Sequence, residues 1–141
     1  MRITYIGHAT LLLEIDGRRI LTDPNFDPTL GRFLARVSEP GIALSELPKL
    51  DAILLTHAHN DHVGDTVEIG KRSGAKVIST FELGEYLGSL GVNADPGNHG
   101  GTVPFDGGTV KFTPAWHTSS YGSDGKAPGV PAGLIVRFGG L

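Results

Sequence analysis

One stretch limits what this chain can fold into more than any other. The apolar run Ala52–Leu55 passes without a break into Thr56-His57-Ala58-His59-Asn60-Asp61-His62. A short, continuous apolar run reads as a strand buried on both faces, the kind found in a parallel α/β layer. At the extended end of such a strand His57 and His59 share a face, and Ala58 points away. Asp61 and His62 then fall where the chain turns into a helix. Three imidazoles and a carboxylate within six residues suit Zn²⁺ or a similar first-row metal, since these are its usual non-thiol ligands. The place suits it too, because ligand sites in α/β sheets form outside the carboxyl ends of the strands. The rival reading is a polar loop decorated with histidines. With six histidines in the whole chain, three in register with an aspartate match chance poorly.

The flanking sequence supports the layer. Ile3–Gly7 and Thr10–Ile15 are rich in β-branched and aliphatic residues, Asp16–Gly17 is a hairpin turn signal, and Arg19–Thr22 returns. From Pro24 to Pro48 the pattern breaks, with Pro28 and Pro40 between. A long loop is expected there, with a helical turn near Leu30–Val37; such loops often serve as lids or substrate walls. Val63, Val67 and Ile69 predict one amphipathic helix from His62 to about Arg72, ended by Gly74. Lys76–Ser79 is the next strand and Phe81–Leu90 the next helix. This alternation predicts parallel pairing. Thr102–Phe105 and Thr109–Pro114 flank Asp106-Gly107-Gly108 as a hairpin, the segment after His117 is polar and loop-like, and Leu134–Phe138 is a last strand.

Composition narrows the chemistry. The 141 residues suffice for one domain. Cysteine is absent, so a metal here is held by histidine and carboxylate. The net charge is −3, and no basic run with interleaved aromatics occurs, which argues against nucleic acid as a partner. No stretch approaches a transmembrane span, and the first residues carry an arginine and a glutamate unlike a secretory leader; the cytoplasm is the expected address.

The pattern H-x-H-x-D-H after a hydrophobic strand resembles the signature of the metallo-β-lactamase superfamily. The segments ITYIGHATLLLE, ILTDP, ILLTHAHNDHVGD, GGTVPFDGGTVKFTPAWHTSS and AGLIVRF extend the resemblance over essentially the whole chain. Together they are similar to the small bacterial and archaeal metal-dependent hydrolases related to ascorbate-6-phosphate lactonase. The resemblance implies an α/β fold, the αββα sandwich, of which this chain holds the first half and the start of the second. It implies that His57, His59 and His117 hold a first metal and that Asp61 and His62 hold a second. Asp23, in L-T-D-P, matches an acid that orients a ligand from behind, and His8, in G-H-A, matches a rim histidine that contacts substrate. Taken without the resemblance, His117, between a strand and a glycine-rich loop, reads as a ligand no more than as a residue without that role. Asp23 could turn the chain before Pro24, and His8 could be a turn residue. His99 has no matching role and reads as surface, while Trp116 reads as packing or pocket wall.

Complete members of the family carry a bridging aspartate in a later G-D-T segment and a final histidine. Neither precedes Gly139-Gly140-Leu141, so residues 1–141 are expected to form one such domain truncated at its carboxyl end. A second metal would then have two ligands, and one sheet would expose an apolar face to water. The expected function is a metal-dependent hydrolase acting on a small molecule. Hydroxide held between two divalent metals, zinc foremost with Mn, Fe or Ni admitted by the same donors, would attack a lactone or a phosphate ester. Asp61 would orient the nucleophile or bind the second metal. Two alternatives stand beside it: a catalytically incomplete half-domain binding one metal, and a dimerising module completed by a second copy or a complementing chain.

Overall fold

The structure is a computed structural model that describes residues 1–27, 29, 30, 34–122, 126 and 128–139. Its first sheet begins as a meander. β1 (Arg2–Gly7) pairs antiparallel with β2 (Thr10–Ile15), which pairs antiparallel with β3 (Arg18–Thr22). Asp16 and Gly17 both have positive φ, 49° and 79°, the conformation that matches strand twist in a two-residue hairpin. In the loop that follows, β4 (Thr29–Leu30) and β5 (Leu34–Ala35) form a small antiparallel ribbon. This corrects the helical turn expected near Leu30–Val37: apolar residues three and four apart imitate a helix over so short a window. Residues 31–33 themselves lie outside the described residues.

β6 (Ala52–Leu54) and β7 (Lys76–Ile78) extend the sheet by parallel pairing, giving the order β1-β2-β3-β6-β7. All three residues of β6 are buried, as its unbroken apolar run predicts. The single helix expected after it is two, α1 (Asn60–Val63) and α2 (Thr66–Ser73). Gly64 separates them at φ 39°, where a Cβ would lie 2.3 Å from the Pro24 carbonyl oxygen. The Asp65 carboxylate then accepts the Phe26 amide at 2.7 Å. The break seats the segment after β3 against the helices. Gly74 closes α2 in the left-handed conformation, as expected. After β7 comes α3 (Phe81–Ser89), then β8 (Thr102–Phe105), β9 (Gly108–Pro114) and β10 (Ala132–Phe138), an antiparallel sheet in the order β10-β9-β8.

Two apolar cores result. Leu12, Leu21, Ile53, Leu55 and Val77 face the helices, where Val63, Ile69, Leu83 and Leu87 meet them. Ile15, Ile20, Ala52, Leu54 and Ile78 face the other way, against Val110, Phe112, Ala132 and Phe138 of the second sheet. The described residues thus build three layers: helices, five-stranded sheet, three-stranded sheet. The second sheet is the narrower. Leu13 packs into the inter-sheet core, and its cross-strand partner Ile3 shares that face. Ile3 is nevertheless 56% exposed and Tyr5 65%. An apolar strip on β1 is therefore open to solvent. The outward face of β9 and β10 carries Lys111 and Arg137 beside Ile135, itself 46% exposed. Among the described residues no helix is long and apolar enough to cross a membrane.

Candidate metal centre

β6 delivers its continuation, Thr56 to His59, to the carboxyl edge of the first sheet, where α1 begins. His59 directly precedes α1, and Asp61 and His62 lie within it. Asp23 follows β3, the neighbouring parallel strand, in a strained positive-φ conformation at 36°. It is 2% exposed, and its amide donates to the Leu54 carbonyl at 3.0 Å. Strand order alone therefore brings Asp23 behind the histidine segment.

The hydrogen bonds of Asp23 fix two imidazoles. Its Oδ1 accepts the Thr56 amide at 2.9 Å, and its Oδ2 accepts both the Thr56 hydroxyl at 2.7 Å and His62 Nδ1 at 3.0 Å. A carboxylate only accepts, so the single hydroxyl proton of Thr56 goes to Asp23. His57 Nδ1, 2.8 Å from the same hydroxyl oxygen, must then donate to it. This leaves His57 Nε2 bare. It faces His59 Nδ1 at 3.0 Å, while His59 Nε2 lies 3.2 Å from the Thr118 hydroxyl. Where the Thr118 hydroxyl accepts from His59 Nε2–H, His59 Nδ1 is a lone pair as well; where that hydroxyl donates instead, Nδ1–H donates to His57 Nε2. In the first arrangement, two lone pairs this close repel unless a cation or a shared proton lies between them. Donors around a tetrahedral metal with bonds near 2.0 Å stand about 3.3 Å apart, so the spacing fits one ion.

His117 completes this group from the bend after β9. Its ring centroid is 4.7 Å from that of His57 and 4.9 Å from that of His59, and the nearest ligand atoms of the three all lie within 4.8 Å of one another. Beside the Thr118–His59 contact, two more hydrogen bonds among the described residues tie the loop that carries it to the histidine segment. The Ser119 hydroxyl accepts the Ala58 amide at 3.0 Å, and the Gly122 amide donates to Asn60 Oδ1 at 3.0 Å. Residues 123–125 and 127 of the expected polar loop lie outside the described residues. A second group stands beside the first: His8, Asp61 and His62, with ligand atoms again within 4.8 Å. The rings of His57 and His62 are 4.1 Å apart, so the two groups adjoin.

Electrostatics separates the histidines. Burial, then the neighbouring His62, lowers the His57 pKa to about 4 against the pull of Asp23. Burial and His117 lower that of His59, with Asp61 opposing. Both are neutral at neutral pH and present lone pairs, as metal ligands must. His62 goes the other way: burial opposes its charging, but the hydrogen bond and charge of Asp23, with Asp61 beyond, raise its pKa.

His57, His59, Asp61, His62, His117, Asp23 and His8 are thus in one place. Thr56, Thr118 and Ser119 were not anticipated, although Thr56 and Thr118 adjoin His57 and His117 in the sequence. Trp116 is fully exposed at 103%; it sits on the bend outside both cores, so packing is not its role. His99 is exposed as expected, and its Nε2 donates to the Pro131 carbonyl at 2.8 Å.

The sequence profile of the beta-lactamase superfamily domain matches residues 18–141. A UPF0173 metal-dependent hydrolase of Geobacillus sp. is 42% identical over 143 residues, covering 99% of this chain and 59% of that protein. One of Thermus thermophilus is 40% identical over 140 residues, covering 99% of this chain and 58% of that protein. The solved structure of Igni18, a metallo hydrolase from the archaeon Ignicoccus hospitalis, matches with a TM-score of 0.79 at 34% identity, covering 98% of this chain and 56% of that one. The chain thus spans less than two thirds of the length of these relatives. The buried β6, the two packed sheets and the histidine motif at the sheet's edge agree with the profile: this chain belongs to the beta-lactamase superfamily domain family.

Proposed function

We propose that residues 1–141 carry the metal-binding part of a metal-dependent hydrolase, with zinc as the metal and a lactone or phosphate ester as the substrate. The observation that supports this best is the convergence of His57 Nε2, His59 Nδ1 and His117, with the His57 lone pair set by the Thr56 hydroxyl behind it. A divalent metal held there supplies a Lewis acid and makes water a nucleophile at neutral pH. Three protein ligands with a further position left open is the arrangement of catalytic zinc. Asp23 holds the tautomers of His57 and His62. Asp61 lies beside this group, where its carboxylate orients the attacking water or joins a second metal.

Metal content and turnover test the proposal together. Zinc-loaded protein is expected to hydrolyse members of a panel of lactones and phosphodiesters, and His59→Ala to lose both metal and activity. A His59→Ala variant that keeps both refutes the assignment. The exposed strip of Ile3 and Tyr5 favours a second reading, in which a second copy of the chain covers β1. A mass twice that of the chain by light scattering supports it, and a stable monomer contradicts it.

A further inference from the structure

We propose that His8 is a protein ligand of a second metal position, with Asp61 Oδ2 and His62 Nε2, so that this position has three donors within the chain. The inference rests on the metal-binding reading above and goes beyond the substrate contact that the resemblance implies for His8.

Four observations converge on it. His8 Nε2 is 3.0 Å from Asp61 Oδ2, and His62 Nε2 is 3.9 Å from the same oxygen. Two donors around one ion with bonds of 2.0–2.1 Å span roughly 2.9–4.1 Å, from a right angle to opposed positions, and both distances fall inside. His62 Nδ1 is already committed to Asp23, so Nε2 is the nitrogen left to ligate, and it is the one on the Asp61 side. The third observation is backbone strain. His8 occupies φ 54° after Gly7, at the irregularity between β1 and β2. Glycine or asparagine would sit there more easily, and strain at a non-glycine residue persists where surrounding structure enforces it. The fourth is the enforcement itself. The Thr10 hydroxyl donates to the Asp23 carbonyl at 2.8 Å, and the Thr22 hydroxyl donates to the Ala9 carbonyl at 2.9 Å. The turn carrying His8 therefore hangs on the same residue, Asp23, that orients His62 and Thr56.

Two imidazoles and a carboxylate on one side of an ion, with other positions open, suit zinc or iron(II). The second position then needs no residue from outside the chain to bind an ion. The competing account is a plain hydrogen bond from His8 to Asp61, which would leave metal binding at that position to two donors.

Zinc binding to the 141-residue chain, followed by equilibrium dialysis and by competition with a chromogenic chelator, separates these accounts without recourse to activity. The wild type is expected to take two equivalents. His8→Gly, which relieves the strain and so retains the fold, is expected to keep the first and to weaken the second by about 100-fold, the upper end of what even an outlying support costs a metal. His8→Asn, also tolerant of positive φ, serves as the second variant and is expected to behave alike. Two equivalents with unchanged affinity in either variant refute His8 as a ligand. One equivalent in the wild type refutes the three-donor position while leaving the first site intact, and none refutes the metal-binding reading as a whole.

Discussion

Replacing Asp23 by asparagine changes one atom and should disturb both metal positions at once. Asp23 accepts three hydrogen bonds, from the Thr56 amide, the Thr56 hydroxyl and His62 Nδ1. In Asp23→Asn the amide oxygen can keep the Thr56 amide, which puts the NH₂ group where Oδ2 stood. Two donors, the Thr56 hydroxyl and His62 Nδ1–H, then meet a donor. The hydroxyl turns to accept from the asparagine and sends its own proton to His57 Nδ1. His57 is thereby protonated on Nε2, the nitrogen that faces His59. His62 is driven the same way, with Nδ1 accepting and Nε2 blocked. Each histidine loses its ligating tautomer, and the loss of such a support costs about 10–100-fold in metal affinity. Chelator competition on Asp23→Asn should show weakening of that order in every equivalent the wild type binds. Thr56→Val interrupts only the branch to His57, so it should weaken only the equivalent held with His59 and His117. Affinities of Asp23→Asn within about threefold of wild type would refute the relay. So would a Thr56→Val variant that weakened both equivalents equally.

The metal-free fold should lose stability on acidification. The folded pKa of His57 is about 4 against 6.5, so between these values the unfolded chain binds more protons; the contribution is whole above pH 6.5 and gone below 4, about 3 kcal/mol in all. His62, raised by its tie to Asp23, offsets part of that. Urea midpoints of the apoprotein should therefore fall from pH 7.5 to 4.5, and a constant midpoint would contradict the burial of a neutral His57. Gly64→Ala places a Cβ against the Pro24 carbonyl at a positive φ. It should destabilise the chain by roughly 2–4 kcal/mol, read as a fall in Tm, while an unchanged Tm would mean that the α1–α2 break tolerates a side chain.

The chemistry-bearing segment was legible because its pattern is local. An unbroken apolar run predicts a strand buried on both faces, and β6 is one; spacing by two places His57 and His59 on one side. β2 and β8 match their expected bounds for the same reason, since alternation and turn chemistry act within a few residues. What the residues alone left open is what depends on distant parts of the chain. Asp23 reads equally as a turn residue before Pro24, until the parallel pairing of β3 with β6 sets it behind Thr56. His8 reads as a turn residue until β1 and β2 carry that turn to α1. Thr56 is an ordinary strand-end residue until its single proton is assigned. The helix break at Gly64 is invisible to helical periodicity, because its cause is the backbone of Pro24, forty residues earlier in the chain. Metal identity and substrate are not written in the donor set, since imidazole and carboxylate accept several metals.

Asp23 also bears on the order of assembly. Its side chain joins residues 33 and 39 positions away, and the Ala58–Ser119 contact spans 61. Closing such long loops loses chain entropy before any contact repays it, so distant pairings form slowly relative to local ones. The β1–β2–β3 meander can form by itself, but no two members of the Asp23–Thr56–His62 network sit correctly until β6 has docked on β3. A complete ion site therefore requires the long-range pairing of β3 with β6. An ion held by these residues would tie together segments far apart in the sequence, and so act as a latch on a sheet already closed.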